Sequence, residues 1–421
     1  MKSPAMMTAL LLLTSALAQT PPDSVSLAEF QALAWPVSHR LAAARLDRAA
    51  AGESFGAAHA LRGPSLSVEL SGGWVSRTQE LQMPGRTIQF GDGSSADAAL
   101  LGTWMLYAGG ALQAGEEAAR AEARARAGEL AADSLQLAEE LRAAFFSALA
   151  AEAGLGAARL AVGRLERHLD DLGRRASAGA AGEEALLLAG GRLEAARQDL
   201  ALRQGELGAA CLDLGALCGR PGRPLAPAGG LETPLEGLDE PALRPSELAV
   251  LDARLEFARA LVRQRLGGRK PKVDAQAGLH VARPGVDPVA NDWMSYGAAG
   301  LRLRWSLWDG GLARRRVSEA RLTEASLQRR RADAERRASS QLARTREQVD
   351  AARAAWESTV RRCDLEERRA VLVEERWQQG AALERDWLDA IDDLRLAEQE
   401  RALGAARLRL AEGRRLQALG R

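Results

Sequence analysis

One stretch of this sequence occurs twice, and each copy marks the point where a strand pattern changes into a helix pattern. Residues 305–311 read Trp-Ser-Leu-Trp-Asp-Gly-Gly, and residues 104–110, 201 positions earlier, read Trp-Met-Leu-Tyr-Ala-Gly-Gly. Before each copy, apolar and polar residues alternate with the period of two that is typical of a strand. After each glycine pair the period becomes helical and continues for about 70 residues. A strand that leads directly into so long a helix is unusual and restricts the possible folds.

The spacing of 201 residues continues well beyond this stretch. The corresponding pairs are Arg120 and Arg321, Gly179 and Gly380, Leu193 and Leu394, Ala196 and Ala397, and Gly219 and Gly420. A constant spacing over so long a segment indicates an internal duplication. We therefore predict a mixed α and β chain, mostly α, that is built from two copies of one unit.

The duplication divides the chain into two repeats. Residues 1–18 are typical of a secretory signal peptide, with Lys2, an apolar core and a cleavage site of small residues. The first repeat is predicted to span 19–218 and the second 246–421. Between them, 219–245 is rich in proline and glycine, which predicts an equatorial connector with little regular structure.

Each repeat is predicted to contain a helix, a β-hairpin, a long helix and a further helix. The hairpins are predicted over 64–108 and 271–308, and a polar loop over 77–95 joins the strands of the first. The long helices are predicted over 111–178 and 312–378. The remaining helices are predicted over 26–61, 183–218, 246–268 and 381–419.

Composition and residue spacing argue against several classes of function. Charged residues make up 27% of the chain and the net charge is +1, so no nucleic-acid partner is predicted. Cys211, Cys218 and Cys363 show no metal-ligand spacing with the histidines, and are predicted to be buried apolar residues. No catalytic grouping or phosphate-binding loop is present, so neither an enzyme activity nor a cofactor is predicted.

The four predicted strands are long enough to cross a membrane, since a tilted transmembrane strand needs about 9–11 residues. Four strands leave two open edges, which lipid does not tolerate, so several chains would have to close a barrel. Two chains give eight strands with a filled interior, whereas three give twelve strands and a polar lumen. The alternative is a soluble β-sandwich with an attached coiled coil, which would alternate in the same way. No stretch after the signal peptide is apolar enough to predict a transmembrane helix.

The order of elements and two motifs resemble those of the TolC-like outer membrane factors. The segment 303–311, Leu-Arg-Trp-Ser-Leu-Trp-Asp-Gly-Gly, is similar to the signature of that family's second repeat. So is Gly380 followed by 386–390, Asp-Trp-Leu-Asp-Ala, and the resemblance extends over residues 24–420. It implies a homotrimer with a twelve-stranded transmembrane barrel in the outer membrane and long antiparallel helices that form an α-helical barrel in the periplasm.

The resemblance also implies a function and its partners. The chain would be the exit duct of a tripartite efflux pump or a type I secretion system, and transport through it would be passive. A periplasmic adaptor protein and an inner-membrane transporter would be its partners, and outer-membrane lipid would surround the barrel. The alternative is a soluble periplasmic coiled-coil adaptor or structural protein. The exported substrate stays open between drugs, metal ions and proteins.

The resemblance further implies roles for residues near the last helix turn. Asp386 and Asp389 match the positions that line the periplasmic entrance, where three chains would form a ring of carboxylates that attracts cations. Two solvated helix charges are the alternative. Trp377 matches an aromatic position near the gate. Ala382 stands where some members carry a basic residue, so Arg385 is predicted to substitute for it.

Two other sets of residues receive predicted roles. The helix turns at Gly179, Gly182 and Gly380 are predicted to contact the adaptor, with plain turns as the alternative. The two copies of the repeated stretch are predicted to form the junction between barrel and helices. Their tryptophans lie either at the membrane interface or in simple packing contacts at the junction. The junction residues are Trp104, Gly109, Gly110, Trp305, Trp308, Gly310 and Gly311.

Overall fold

The computed structural model describes residues 24–77, 80–89, 93–179, 182–242, 245–287 and 292–421. The predicted signal peptide lies outside the described residues. In chain order the elements are β1 (Ser24–Val25), α1 (Leu27–Val37), α2 (His39–Ala60), β2 (Ser65–Trp74), β3 (Glu80–Met83), β4 (Arg86–Gln89), β5 (Ser94–Tyr107), α3 (Ala111–Ser177), α4 (Glu183–Leu217), β6 (Ala226–Pro227), α5 (Ser246–Gly267), β7 (Lys272–Arg283), β8 (Met294–Arg304), α6 (Leu312–Gln378) and α7 (Glu384–Leu419). The predicted fold class, mostly helical with a duplicated unit, is confirmed.

The described chain divides into two compact units, and both repeats contribute to each. The first unit comprises 24–38, 138–238 and 345–415, and the second comprises 39–137, 239–344 and 416–421. The long helices α3 and α6 therefore contribute residues to both units. This division cuts across the two repeats, whose boundaries stay a prediction.

The second unit contains an antiparallel sheet whose order, among the described strands, is β2-β5-β7-β8. The hairpins β2–β5 and β7–β8 are joined through β5 and β7. One face carries aliphatic side chains such as Leu70 and Leu301, which are 76% and 73% exposed. Neighbouring residues such as Glu69 and Arg302 point to the other face, because successive strand residues alternate. The predicted separation into an apolar and a polar face is thus confirmed.

The segment between β2 and β5 contains structure that the sequence analysis did not predict. β3 and β4 form a separate antiparallel pair, with Gln82 opposite Thr87 and Met83 opposite Arg86. The predicted loop over 77–95 is therefore wrong in this part. Pro84 and Gly85 connect the two strands, and Gly85 has a φ of 87° that suits a tight hairpin turn. That proline–glycine pair was the available signal.

The strand β8 ends at Arg304, four residues before the predicted end at residue 308. Its equivalent β5 continues to Tyr107 because β7 pairs with it as far as Val273. β8 is an edge strand, and its last partner Lys272 is preceded by Pro271, which has no N–H to donate. The ladder therefore stops at this point.

Two predicted helices are shorter or interrupted in the structure. The helix predicted over 26–61 breaks at Ser38, shortly after Pro36, because proline disturbs the hydrogen bonds of the last turn. Its start is as predicted: the Ser26 hydroxyl accepts a hydrogen bond from the Glu29 N–H, and the Glu29 carboxylate accepts one from the Ser26 N–H. The last helix begins at Glu384 and not at residue 381.

The first unit is held together by apolar packing among helices. Phe30 of α1 is fully buried, and its ring stacks on Phe145 of α3 at 5.9 Å. Burial of a side chain of this size stabilises the fold by about 1.5–3 kcal/mol. In the connector, Leu235 donates its N–H to the buried Glu412 carboxylate at 3.1 Å.

One helix in the described part of the chain, α3, contains a stretch that is long and apolar enough to cross a membrane. The sequence analysis did not predict such a stretch. More than half of it, 56%, is buried inside the structure, as in the core helix of a packed protein. The stretch is apolar because alanine and leucine line the contacts of α3 with other helices.

Candidate functional site

Each long helix ends at a glycine with a left-handed backbone conformation. Gly179 follows α3 with a φ of 73°, and Gly380 follows α6 with a φ of 72°. The Gly380 N–H donates to the Trp377 carbonyl oxygen at 3.0 Å, which closes the end of the helix. Gly182 differs, because it is the N-terminal cap of α4 and has a φ of −87°. The predicted turns therefore lie between helices, and their contact with an adaptor stays a prediction.

A buried aromatic cluster lies beside the second turn. The imidazole of His168 is 4.5 Å from the ring of Trp377 and stacks on that of Trp387 at 3.5 Å. His168 is also hydrogen-bonded to the Glu384 carboxylate. The guanidinium of Arg175 lies 3.9 Å above the Trp377 ring, which is a cation–π contact. The predicted gate residue Trp377 thus belongs to a packed cluster of three helices, α3, α6 and α7.

The sequence analysis did not single out His168 or Glu384, and it included Trp387 only as one letter of the 386–390 motif. Glu384 and Trp387 lie soon after Gly380, so their position near the turn was readable from the sequence. The histidine is 216 residues before its carboxylate partner, and no local pattern connects the two.

The two predicted constriction carboxylates make different contacts. Asp386 lies in the first turn of α7 and accepts a hydrogen bond from the Leu383 N–H at 3.2 Å. Asp389 forms ion pairs with Arg192 at 3.3 Å and with Arg385 at 3.7 Å. The Asp389 and Arg385 side chains are 45% and 80% exposed. Both carboxylates lie near the start of α7, Asp386 exposed and Asp389 partly exposed, and a ring of charges there stays a prediction.

The two copies of the repeated stretch make the same hydrogen bond. The indole N–H of Trp104 donates to the carbonyl oxygen of Arg62 at 2.9 Å, and that of Trp305 donates to Arg269 at 3.1 Å. About half of each indole is exposed, 48% and 55%, whereas Trp308 is 88% exposed. A satisfied N–H on a half-exposed ring fits either predicted location, the membrane interface or the junction.

The glycine pairs of the junction also have matching backbone angles. The φ values are 66° and 87° at Gly109 and Gly110, and 67° and 86° at Gly310 and Gly311. Their surroundings differ. A Cβ atom on Gly109 would overlap the carbonyl group of Gly267 and lie 2.7 Å from the Cβ of Lys270. A Cβ atom on Gly310 would meet nothing within 4 Å.

The polar face of the sheet carries a cluster that the sequence analysis missed. The His280 imidazole stacks on Tyr296 at 4.9 Å, and its Nδ1 lies 3.1 Å from an Asp97 carboxylate oxygen. Gly278 leaves room for the ring, because a Cβ there would lie 2.8 Å from His280 Nε2. The cluster joins three strands, and only their register brings its members together.

The family model described as outer membrane efflux protein matches residues 33–220, which includes most of the first repeat. Over this segment the chain is similar to the outer membrane efflux protein family. The predicted resemblance is thereby confirmed, as is the predicted localisation in the outer membrane with a helical portion in the periplasm. This is a family of channel proteins. No curated protein sequence gives a significant match to the chain.

Solved structures of outer membrane channels share the fold of this chain over nearly its whole length. CusC matches with a TM-score of 0.79 and 19% identity, over 96% of this chain and 95% of CusC. VceC from Vibrio cholerae matches with a TM-score of 0.78 and 18% identity, over 94% and 96%. The CmeC channel of Campylobacter jejuni matches with a TM-score of 0.78 and 14% identity, over 100% and 93%. At such low identity these matches establish the fold alone.

The described part of the chain offers no grouping of three or more His, Cys, Asp or Glu side chains that is placed to bind a metal ion. The three cysteines are buried, as predicted, and none of them forms a disulfide. Burial raises the pKa of all three thiols above the ordinary value of 9.0, so the reactive thiolate is disfavoured at neutral pH.

Proposed function

We propose that this chain assembles as a homotrimer in the outer membrane and serves as the exit duct of a tripartite efflux pump or a type I secretion system. The observation that carries the proposal is the sheet of the second unit. Among the described strands, β2 pairs only with β5 and β8 only with β7, so both are edges. One face of the same sheet exposes leucine and valine side chains over its whole length.

A single copy of this sheet would be unstable in a lipid membrane. The unpaired N–H and C=O groups of an edge strand find no hydrogen-bond partner in the hydrocarbon core of a membrane. Closure into a barrel removes the edges, with the apolar face toward lipid and the polar face toward a lumen. Three copies supply twelve strands, which is wide enough for a lumen that eight strands would fill with side chains.

The remaining predicted residues take their proposed places in this duct. The turns at Gly179, Gly182 and Gly380 contact the periplasmic adaptor, and the inner-membrane transporter supplies the driving force. Asp386 and Asp389 contribute the ring of carboxylates at the entrance. The exposed Arg385, paired with Asp389, and the buried Trp377 hold the neighbouring helix turn.

Single-channel recording tests the proposal directly. The mature protein, purified from outer membranes in detergent and added to a planar lipid bilayer, is expected to give stable conductance steps. The same sample is expected to migrate differently on a gel with and without boiling, because β-barrels resist detergent until they are heated. A sample without conductance and without heat-dependent migration would contradict the proposal and favour the soluble adaptor or structural protein.

A further inference from the structure

Because of the duplication, a residue of the first repeat has an equivalent in the second repeat at a fixed number of positions along the chain. That number has one value for each of two groups of elements. From β5 and α3 to β8 and α6 the spacing is 201, and from α2 and β2 to α5 and β7 it is 207. The strand registers establish both values, since Ser65 pairs with Thr103 and Lys272 with Arg304. The hydrogen bonds from Trp104 to Arg62 and from Trp305 to Arg269 follow the same spacings, 201 between the tryptophans and 207 between the arginines.

The two repeats meet inside the chain along one continuous contact, which we call the internal junction: β5 with β7, and α3 with α5. In the sheet, Thr103 lies opposite Gln276. Between the helices, Arg254 donates a hydrogen bond to the Glu129 carboxylate at 2.6 Å. Gly128 packs closely against Val250, since a Cβ at that glycine would lie 2.8 Å from the valine side chain. The internal junction therefore shows how the α3–β5 side of a repeat packs on the α5–β7 side of the other.

By these spacings, α6 and β8 are the equivalents of α3 and β5, and α2 and β2 are the equivalents of α5 and β7. In the sheet, β8 and β2 are the two edge strands. We infer that a second copy of this chain docks there, and that the contact between copies repeats the internal junction residue by residue. The two spacings then place Arg304 of one copy opposite Glu69 of the next, and Leu303 opposite Leu70. The inference rests on the oligomeric duct proposed above and specifies its interface.

Charge complementarity supports this register. Arg304 and Glu69 carry opposite charges, although the positions that they repeat, Thr103 and Gln276, are uncharged. Opposite charges that face each other across antiparallel strands stabilise the pair. A shift by one residue would turn the apolar set of one strand toward the polar set of the other. A shift by two would place Arg302 opposite Glu69, and this competing register serves as the control below.

The helices supply a second complementary pair. Glu129 and Arg254 of the internal junction correspond to Arg330 of α6 and Asp47 of α2, so the charges are exchanged between the two helices and remain opposite. Arg330 and Asp47 are both exposed in the single chain. Because the strand and helix pairs are far apart in the sequence, they support the same docking independently.

Exposed leucines lie on the same helix faces. Leu322 of α6 and Leu46 of α2 are 69% and 71% exposed. Their equivalents in α3 and α5 are Ala121 and Ala253, which are only 2% and 6% exposed. Ala121 lies seven residues before Gly128 and thus on the same helix face as the contact with α5. Docking of a second copy would cover both leucines.

Disulfide crosslinking tests the strand register. The double variant Glu69→Cys/Arg304→Cys is expected to form covalent dimers and trimers in oxidised outer membranes. Directly opposite Cα atoms lie about 4.5–5.5 Å apart, within the range for a disulfide, whereas diagonal pairs lie about 7–8 Å apart. The control Glu69→Cys/Arg302→Cys probes the register shifted by two, and each single-cysteine variant shows background crosslinking.

The native mass in detergent distinguishes a failure of the inferred strand register from a failure of the proposed duct. A trimer that crosslinks through Arg302→Cys, or through neither pair, would overturn the inferred register and leave the duct proposal intact. A single-chain mass without crosslinks would overturn both. A trimer that crosslinks selectively through Arg304→Cys supports both.

Charge exchange tests the helix pair. Asp47→Arg is expected to lower the temperature at which the trimer dissociates, and the added change Arg330→Asp is expected to restore most of the loss. Rescue is informative because Asp47 also acts on the charge of Arg126 within its own chain, an effect that a change at residue 330 does not relieve. A double variant that dissociates no later than Asp47→Arg alone would overturn the inferred helix contact.

Discussion

At the scale of single residues, Glu116 shows how ion pairs stabilise a nearly buried charge in this protein. Its side chain is only 9% exposed and forms ion pairs with Arg62 at 2.8 Å, Arg120 at 3.3 Å and His59 at 3.4 Å. The hydrogen bond from Arg62 is the main reason why the pKa of Glu116 lies below its ordinary value of 4.5. The carboxylate thus ties the end of α2 to the first turns of α3.

The stability that this carboxylate contributes depends on pH. Because its pKa is lower in the folded state than in the unfolded chain, the contribution is complete above about pH 4.5 and is lost as the pH falls through the folded-state pKa. Glu116→Gln is expected to lower the thermal midpoint of helix unfolding at pH 7, and the difference from wild type is expected to shrink below pH 4.5. Glu53→Gln, at an exposed position of α2, is the control. A difference that stays constant from pH 7 to the acid range would contradict this role.

The entrance carboxylates make a second prediction at this scale. The double variant Asp386→Ala/Asp389→Ala is expected to reduce the preference of the channel for cations over anions, because a ring of fixed negative charge raises the local cation concentration. The measurement is the reversal potential across a bilayer in a salt gradient. Asp364→Ala/Glu374→Ala removes the same charge from exposed positions of α6 and is the control. Unchanged selectivity in the Asp386 and Asp389 variant would refute the ring.

Single residues were only partly predictable from the sequence. The repeated tryptophans and glycines were found because both copies are visible as letters at a fixed spacing, and the structure gives them equal hydrogen bonds and φ angles. His168 and His280 were missed because their partners come from distant helices or neighbouring strands. Such contacts depend on tertiary packing and register, which a single sequence does not contain.

At the scale of elements, periodicity was sufficient for the long segments. Both long helices were predicted to within one residue of their observed ends, because many helical turns repeat the same pattern. The short pair β3–β4 was missed because four residues give too little periodicity. The end of β8 was misplaced because the alternation of side chains continues after Arg304, whereas the hydrogen-bonded pairing with β7 ends there.

The strand-to-helix junction yields a prediction that compares the two copies of one element. Gly310→Ala is expected to cost about 1–2 kcal/mol, since a Cβ in the left-handed conformation is strained. Gly109→Ala is expected to cost more in a dissociated single chain, because its Cβ would also overlap the carbonyl group of Gly267, whereas the equivalent neighbours of Gly310 would come from a second copy. Thermal midpoints of both variants, measured on dissociated single chains in detergent, provide the comparison, with matching φ angles at the two sites as an internal control. Equal losses would show that the packing against α5 does not contribute.

At the scale of the whole molecule, the sequence analysis and the structure lead to the same requirement. The sheet has two unpaired edges and an apolar face, so a membrane-embedded form needs further copies to complete it. The family and the fold agree with this requirement, but the number of copies depends on how strands close around a lumen. The number of copies is a property of the assembly, and the residue pattern of a single chain does not determine it.

The native mass of the mature protein, extracted from purified outer membranes in mild detergent and corrected for bound detergent, tests the proposed assembly most directly. Three copies of one chain in the outer-membrane fraction are the predicted result, since three sheets of this kind close a barrel with a lumen. A single chain or a dimer, or recovery of the protein mainly from the soluble periplasmic fraction, would contradict the trimeric duct.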